Sequence, residues 1–106
     1  MIDEFEADLE VRGDELWVLP VGDLDVATAP ELSETLSLAL STDAPAIVID
    51  LRGLQLMDST GLRTLLEAQS AEGGERIAFV PGNDHIQGVF RLSGFLETLP
   101  FRAADG

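Results

Sequence analysis

The stretch LQLMDSTGLRTLLEA, residues 54–68, sets Asp58, Ser59, Thr60 and Gly61 between an apolar run and a helical one. Two kinds of chemistry are open to that cluster. Asp58 can cap the helix that follows, its carboxylate accepting from the N–H of Thr60 or Gly61. Ser59, then at the first helical position, can instead be a hydroxyl displayed for reaction. Gly61 fits simple capping least, because glycine inside a helix costs about 1 kcal/mol relative to alanine and nothing else in the local sequence asks for it. That mismatch points to another backbone or a macromolecule approaching closely here. On local physics alone, capping is the stronger of the two readings.

A helix N-terminus also favours added negative charge, since its N–H groups are free and its dipole points the right way. A phosphoryl group on Ser59 would gain at most about 2 kcal/mol from that source. Asp58 opposes it, and so does Asp25 if the two loops meet at one end of a sheet. A dianion about 6 Å from a carboxylate, at an effective dielectric near 20, is repelled by several kcal/mol before screening. The terms are comparable, so a modified chain is expected to stay folded and to change what binds it.

Other chemistries find little support. There is no G-x-x-x-x-G-K-[ST] phosphate cradle. His85 is the single histidine, beside Asp84 in a helix-opening loop, and reads as solvated; a Ser–His–Asp triad with Ser59 has no sequence support. The DLD triplet at residues 23–25 lacks EF-hand spacing, and no metal site is expected. Asp58-Ser59-Thr60-Gly61 resembles the Asp-Thr-Gly of aspartic proteases only superficially: one residue too many separates Asp58 from Gly61, and a helix follows.

The elements that must position these residues are legible from periodicity. Phe5, Ala7, Leu9 and Val11 alternate with acids, as in a half-buried strand, and RGDE turns into a second strand, LWVLPV. Pro20 marks an irregular stretch or a position needing no ladder N–H. TAPE, residues 28–31, fits a capping box opened by Thr28, ahead of a stripe of Leu32, Leu36, Ala39 and Leu40 that stops by STDAP. AIVIDL is a strand with both faces covered. Leu62, Leu65, Leu66 and Gln69 share a helical face that ends at Gly73 and Gly74. IAFV is a strand; Ile86, Val89, Phe90 and Ser93 share the face of a helix closed by Gly94; LETLPF fits either a last helical turn or an edge strand. The order β-β-α-β-α-β-α predicts an α/β fold, a mixed sheet with helices packed against it.

Composition narrows the function classes. The 106 residues predict a single domain, 1–106, with 45% hydrophobic and 25% charged residues and no cysteine for a disulfide or thiolate site. Twenty acids against six arginines give a net charge of −14, which repels nucleic acid and anionic membranes. That acidity suits either a cationic protein partner or solubility alone. No apolar run approaches the ~20 residues of a membrane span, and the acidic, alternating start is unlike a signal peptide; a soluble, cytoplasmic protein is expected.

The chain resembles the STAS-domain anti-sigma factor antagonists. VGDLDVATAPEL (residues 21–32), MDSTGLRTLL (57–66) and VFRLSGFLETL (89–99) carry the resemblance, in order, over nearly the whole chain. Asp-Ser-[Ser/Thr]-Gly-Leu is its specific part; Asp23 stands where glutamate is common. The resemblance implies a mixed sheet of four to five strands with helices against it and a phosphoryl-acceptor serine, Ser59. It implies a partner-binding surface of Asp25, Thr28, Asp58, Ser59, Thr60 and Gly61. It further implies an anti-sigma factor that is also a serine kinase, which the unphosphorylated form binds to release a sigma factor. That kinase uses ATP and Mg²⁺, and a PP2C-type phosphatase resets the cycle. The domain itself would be no enzyme and hold no cofactor. Some relatives serve instead as non-switching adaptors in transporters, lipid-transport complexes or larger signalling assemblies.

Overall fold

Alternation and turn chemistry build the first hairpin. β1 (Glu6–Arg12) and β2 (Glu15–Leu24) pair antiparallel around Gly13, whose φ of 60° lies in the left-handed region that glycine tolerates. The computed structural model describes residues 5–104. β2 runs longer than LWVLPV suggests; Pro20 keeps regular register with Ala7, and the strand's register shift, against a later strand, falls between Gly22 and Asp23. The half-buried alternation expected of β1 holds only at its start. Phe5 is buried just ahead of the strand and Ala7 is half-covered, but Leu9 and Val11 are 40% and 76% exposed.

α1 (Ala29–Leu40) buries Leu32, Leu36 and Ala39 and stops before the STDAP cluster. The run after it makes two strands. β3 (Ala46–Asp50) pairs with the first part of β2, and β4 (Leu54–Met57) pairs with its end, both parallel. A 3-10 turn, Leu51–Gly53, separates them. Asp50 shapes it, its Oδ1 accepting from the Arg52 N–H at 3.0 Å while the Arg52 guanidinium bridges both carboxylate oxygens. Gly53 lets the turn lie on β2, since a Cβ there would stand 2.7 Å from the Pro20 carbonyl oxygen. α2 (Ser59–Ser70), β5 (Ile77–Val80) and α3 (Asp84–Leu92) complete the order, with β5 parallel to β3. The sheet is mixed and five-stranded, in the order β1-β2-β3-β5 with β4 alongside β2.

Both faces of the central strands are covered, though differently. Leu16, Val18, Ile47, Ile49 and Phe79 join the helices' apolar stripes in the main core. Trp17, Val48 and Val80 form a smaller cluster apart from it, with Leu19 and Ala104 packed against them. The Arg12 guanidinium lies 4.0 Å from the Trp17 ring centre. LETLPF forms a turn and then a single bridge instead of an edge strand. Residues 96–98 turn, and Phe101 then bridges to Phe79, with Phe79 N–H donating to the Pro100 carbonyl and Arg102 N–H to that of Phe79. The Phe79, Phe90 and Phe101 rings cluster with centres 5.2 to 6.3 Å apart. Among the described residues, no helix is long and apolar enough to cross a membrane.

The tail is tied to the sheet by Glu15. Arg102 Nη1 donates to its Oε2 at 2.6 Å and the Trp17 indole N–H to its Oε1 at 3.0 Å. These bonds, that from Arg102 foremost, hold the Glu15 carboxyl below the usual glutamate range. A lowered folded-state value favours the ionised form in the native chain. The contribution is therefore complete above the ordinary carboxylate range and is lost as pH falls through the lower, folded-state value. Acid unfolding followed by Trp17 fluorescence is expected to lose part of its low-pH slope in Glu15→Gln, and an unchanged acid limb would refute the link. In the main core, Leu36→Ala and Leu65→Ala, at sites 2% and 0% exposed, are each expected to cost about 2–5 kcal/mol by denaturant titration.

Candidate functional site

The site grows from the end of β2. Leu24 is fully buried, and its carbonyl accepts the Asp58 N–H at 3.2 Å, which joins the β2–α1 turn to the start of α2. Asp58 is the N-cap: its backbone is extended, and its Oδ1 accepts from the Gly61 N–H at 3.0 Å. Ser59 follows at the first helical position and is exposed. Among the described residues, no side chain or backbone group hydrogen-bonds its hydroxyl. Capping and display, set against each other by the sequence, thus coexist: Asp58 caps and Ser59 faces solvent. Thr60 is half-buried, its carbonyl accepting from the Thr64 hydroxyl at 3.1 Å.

Of the two close approaches that the sequence context of Gly61 left open, the structure shows another backbone. It is buried, and a Cβ there would lie 2.6 Å from Leu24 Cγ and 3.0 Å from the Leu24 carbonyl oxygen. The close approach comes from this chain's own β2. Gly61 therefore acts beneath the surface, seating α2 on Leu24.

The second loop is built by Asp25 and Thr28. Asp25 Oδ1 accepts from the N–H groups of Ala27 and Thr28 at 3.0 and 3.1 Å, folding the turn back on itself. Thr28 does not open a capping box. It stands at the N-cap of α1, but its φ of −103° and ψ of −15° are helical, and its side chain makes no cap bond. Its hydroxyl instead donates to the Asp23 carbonyl at 2.7 Å and accepts from the Asp25 N–H at 3.0 Å. Buried at 8% exposure, Thr28 holds the turn from inside.

Asp23, Asp58 and Ser59 are thus exposed, Asp25 and Thr60 half-exposed, Thr28 and Gly61 internal. A cleft of about 500 Å³ opens beside the Asp25 turn, lined by Phe5, Val21, Asp23, Asp25, Thr28 and Gln55 among others. Ser59 is not in its lining, so the hydroxyl is presented on a surface rather than held in a pocket. No cluster of three or more His, Cys, Asp or Glu side chains converges as a metal requires, among the described residues.

Three features escaped the sequence. Val26, next to Asp25, is 72% exposed, and Leu56, two residues before Asp58, is 53% exposed; their apolar character signals core until the fold turns them outward. His85 is not merely solvated. Although exposed, its Nε2 accepts the Met57 N–H at 3.3 Å, across an interval of 28 residues that no local pattern announces.

Comparison with known proteins agrees with this fold. The family model described as "Mlab, STAS domain" matches residues 9–100. The crystal structure of an anti-sigma factor antagonist from Mycobacterium paratuberculosis is 25% identical, with a TM-score of 0.88 over 96% of this chain and 89% of that one. SpoIIAA in its unphosphorylated form, 20% identical, has a TM-score of 0.71 over 95% of this chain and 90% of its own. The phosphorylated form of the Bacillus protein, also 20% identical, has a TM-score of 0.65 over 95% and 93%. These last two share the fold.

Gly61→Ala separates two opposing effects. Helix propensity alone would stabilise the variant by about 1 kcal/mol. The overlap with Leu24 costs about 1–3 kcal/mol, so the melting temperature is expected to fall; a rise would mean that Leu24 yields freely.

Proposed function

Because the chain belongs to the STAS domain family, we propose that it is an anti-sigma factor antagonist whose binding is switched at Ser59. The unphosphorylated form binds an anti-sigma factor that is also a serine kinase, and the sigma factor is released. The kinase then transfers the γ-phosphoryl group of ATP, as its Mg²⁺ complex, to Ser59. The serine oxygen bonds to phosphorus, the bond to the ADP leaving group breaks, and the hydroxyl proton passes to a base of the kinase. A PP2C-type phosphatase restores the hydroxyl. The cycle is cytoplasmic, and the chain is a substrate and ligand rather than a catalyst.

The observation that carries the reading is the exposed Ser59 hydroxyl at the first position of α2, beside a cap whose carboxylate is directed to Gly61 N–H. Phosphate at that position meets the favourable end of the helix dipole, worth up to about 2 kcal/mol. It also meets the Asp58 and Asp25 carboxylates on the two joined loops, which repel it. Near-cancellation leaves the fold intact and alters the surface that a partner touches. The internal positions of Thr28 and Gly61 make them supports of that surface, with Asp25, Asp58, Ser59 and Thr60 presented on it.

A second reading, a STAS adaptor subunit that does not switch, has one observation in its favour: the matching family model carries the name Mlab and not that of an antagonist. Incubation with ATP, Mg²⁺ and the cognate anti-sigma kinase distinguishes the two. The switch requires phosphate incorporation that Ser59→Ala abolishes, whereas a stable complex indifferent to ATP supports the adaptor. Ser59→Asp is expected to weaken the partner complex about tenfold or more while changing stability by no more than about 0.5 kcal/mol. Parallel losses of binding and thermal stability in that variant would point to unfolding instead.

A further inference from the structure

β4 pairs with β2, and on its other side it meets the first turn of α3. Asn83 caps that helix, its Oδ1 accepting from Ile86 N–H at 2.9 Å, while its Nδ2 reaches the carbonyls of Leu54 and Gln55 at 3.4 Å. Two residues on, His85 Nε2 accepts the Met57 N–H. The side chains of a helix thus do for β4 what a neighbouring strand would. The next peptide is held by another partner, because Asp58 N–H donates to Leu24. Two successive N–H groups immediately before Ser59 are therefore fixed from separate elements, α3 and β2.

We infer that His85 is a positioning residue for Ser59, its neutral imidazole anchoring Met57 so that the chain enters α2 with the hydroxyl outward. Acceptance at Nε2 requires that nitrogen to be unprotonated, which places the ring proton on Nδ1. Protonation of the ring converts the acceptor into a donor and breaks the bond. Of the elements packed on α3, β4 and β5 have no titratable side chain, α2 carries Arg63 and Glu67, and the segment after α3 carries Glu97 and Arg102; Asp58 stands between β4 and α2, and Asp84 and Arg91 share α3 with His85.

Nitrogen-15 NMR of the full chain tests this without any partner. The expected result is an Nδ1–H tautomer above the imidazole titration, with Met57 amide exchange about three- to tenfold faster in His85→Leu, the scale of one hydrogen bond. The Asp58 and Ser59 amide resonances should shift with it. His85→Gln, which returns an acceptor at the same reach, restores the slow exchange. Acidification through the imidazole titration reproduces the leucine pattern in the wild-type chain and not in the glutamine variant. Unchanged Met57 exchange in His85→Leu, or no rescue by glutamine, overturns the inference; if the leucine variant does not fold, the wild-type titration decides it. That the hydroxyl so placed receives a phosphoryl group rests on the reading of Ser59 as acceptor. A wild-type chain that takes no phosphate defeats that reading and leaves the exchange result standing.

Discussion

Leu24 beneath Gly61 is the contact on which the site depends. Successive helical residues are rotated by about 100°, so positions two apart point some 200° apart around the axis. With Gly61 pressed on Leu24, Ser59 must face away from the core, while Leu62 and Leu65 continue the buried side. The same residue of β2 supplies a carbonyl to Asp58 N–H, so one position sets both the depth and the rotation of the helix. Exposure of the hydroxyl is thus a consequence of packing below it.

The acids around Ser59 do structural work without cations. Asp58 and Asp25 each turn a carboxylate oxygen onto backbone N–H groups, which shapes two loops and leaves their negative charge in place. Four of the six arginines are engaged away from these loops: Arg12 with Glu10, Arg52 with Asp50, Arg102 with Glu15, and Arg76 with the carbonyls of Leu40, Thr42 and Ala44. Asp58 and Asp25 thus keep their negative charge beside Ser59, and Arg63 lies one helical turn further along α2. Exposed Val26 and Leu56 add apolar area to the two segments that carry those acids.

α3 joins this arrangement through its polar end rather than its apolar face. Ile86 and Phe90 bury against the core, and Asn83 and His85 in the opening turn reach the backbone of β4. A helix that satisfies a strand edge in this way connects the C-terminal third of the chain to the loop before Ser59.

Local pattern determined a good deal of this protein by itself. Periods of two and of 3.6 residues placed the hairpin, the three helices and the buried strands, and the polar cluster at residues 58–61 marked the helix start, because these are effects of neighbours in the chain. What tertiary structure decided lies in contacts between distant residues. Gly61 answers to Leu24, Thr28 holds a turn in place of capping a helix, the short run before Asp58 becomes a strand of its own where Gly53 meets Pro20, and His85 accepts a bond from Met57. Leu9 and Val11 have the alternation of a covered face yet stay exposed, since periodicity records which side a residue takes and packing determines whether anything lies there.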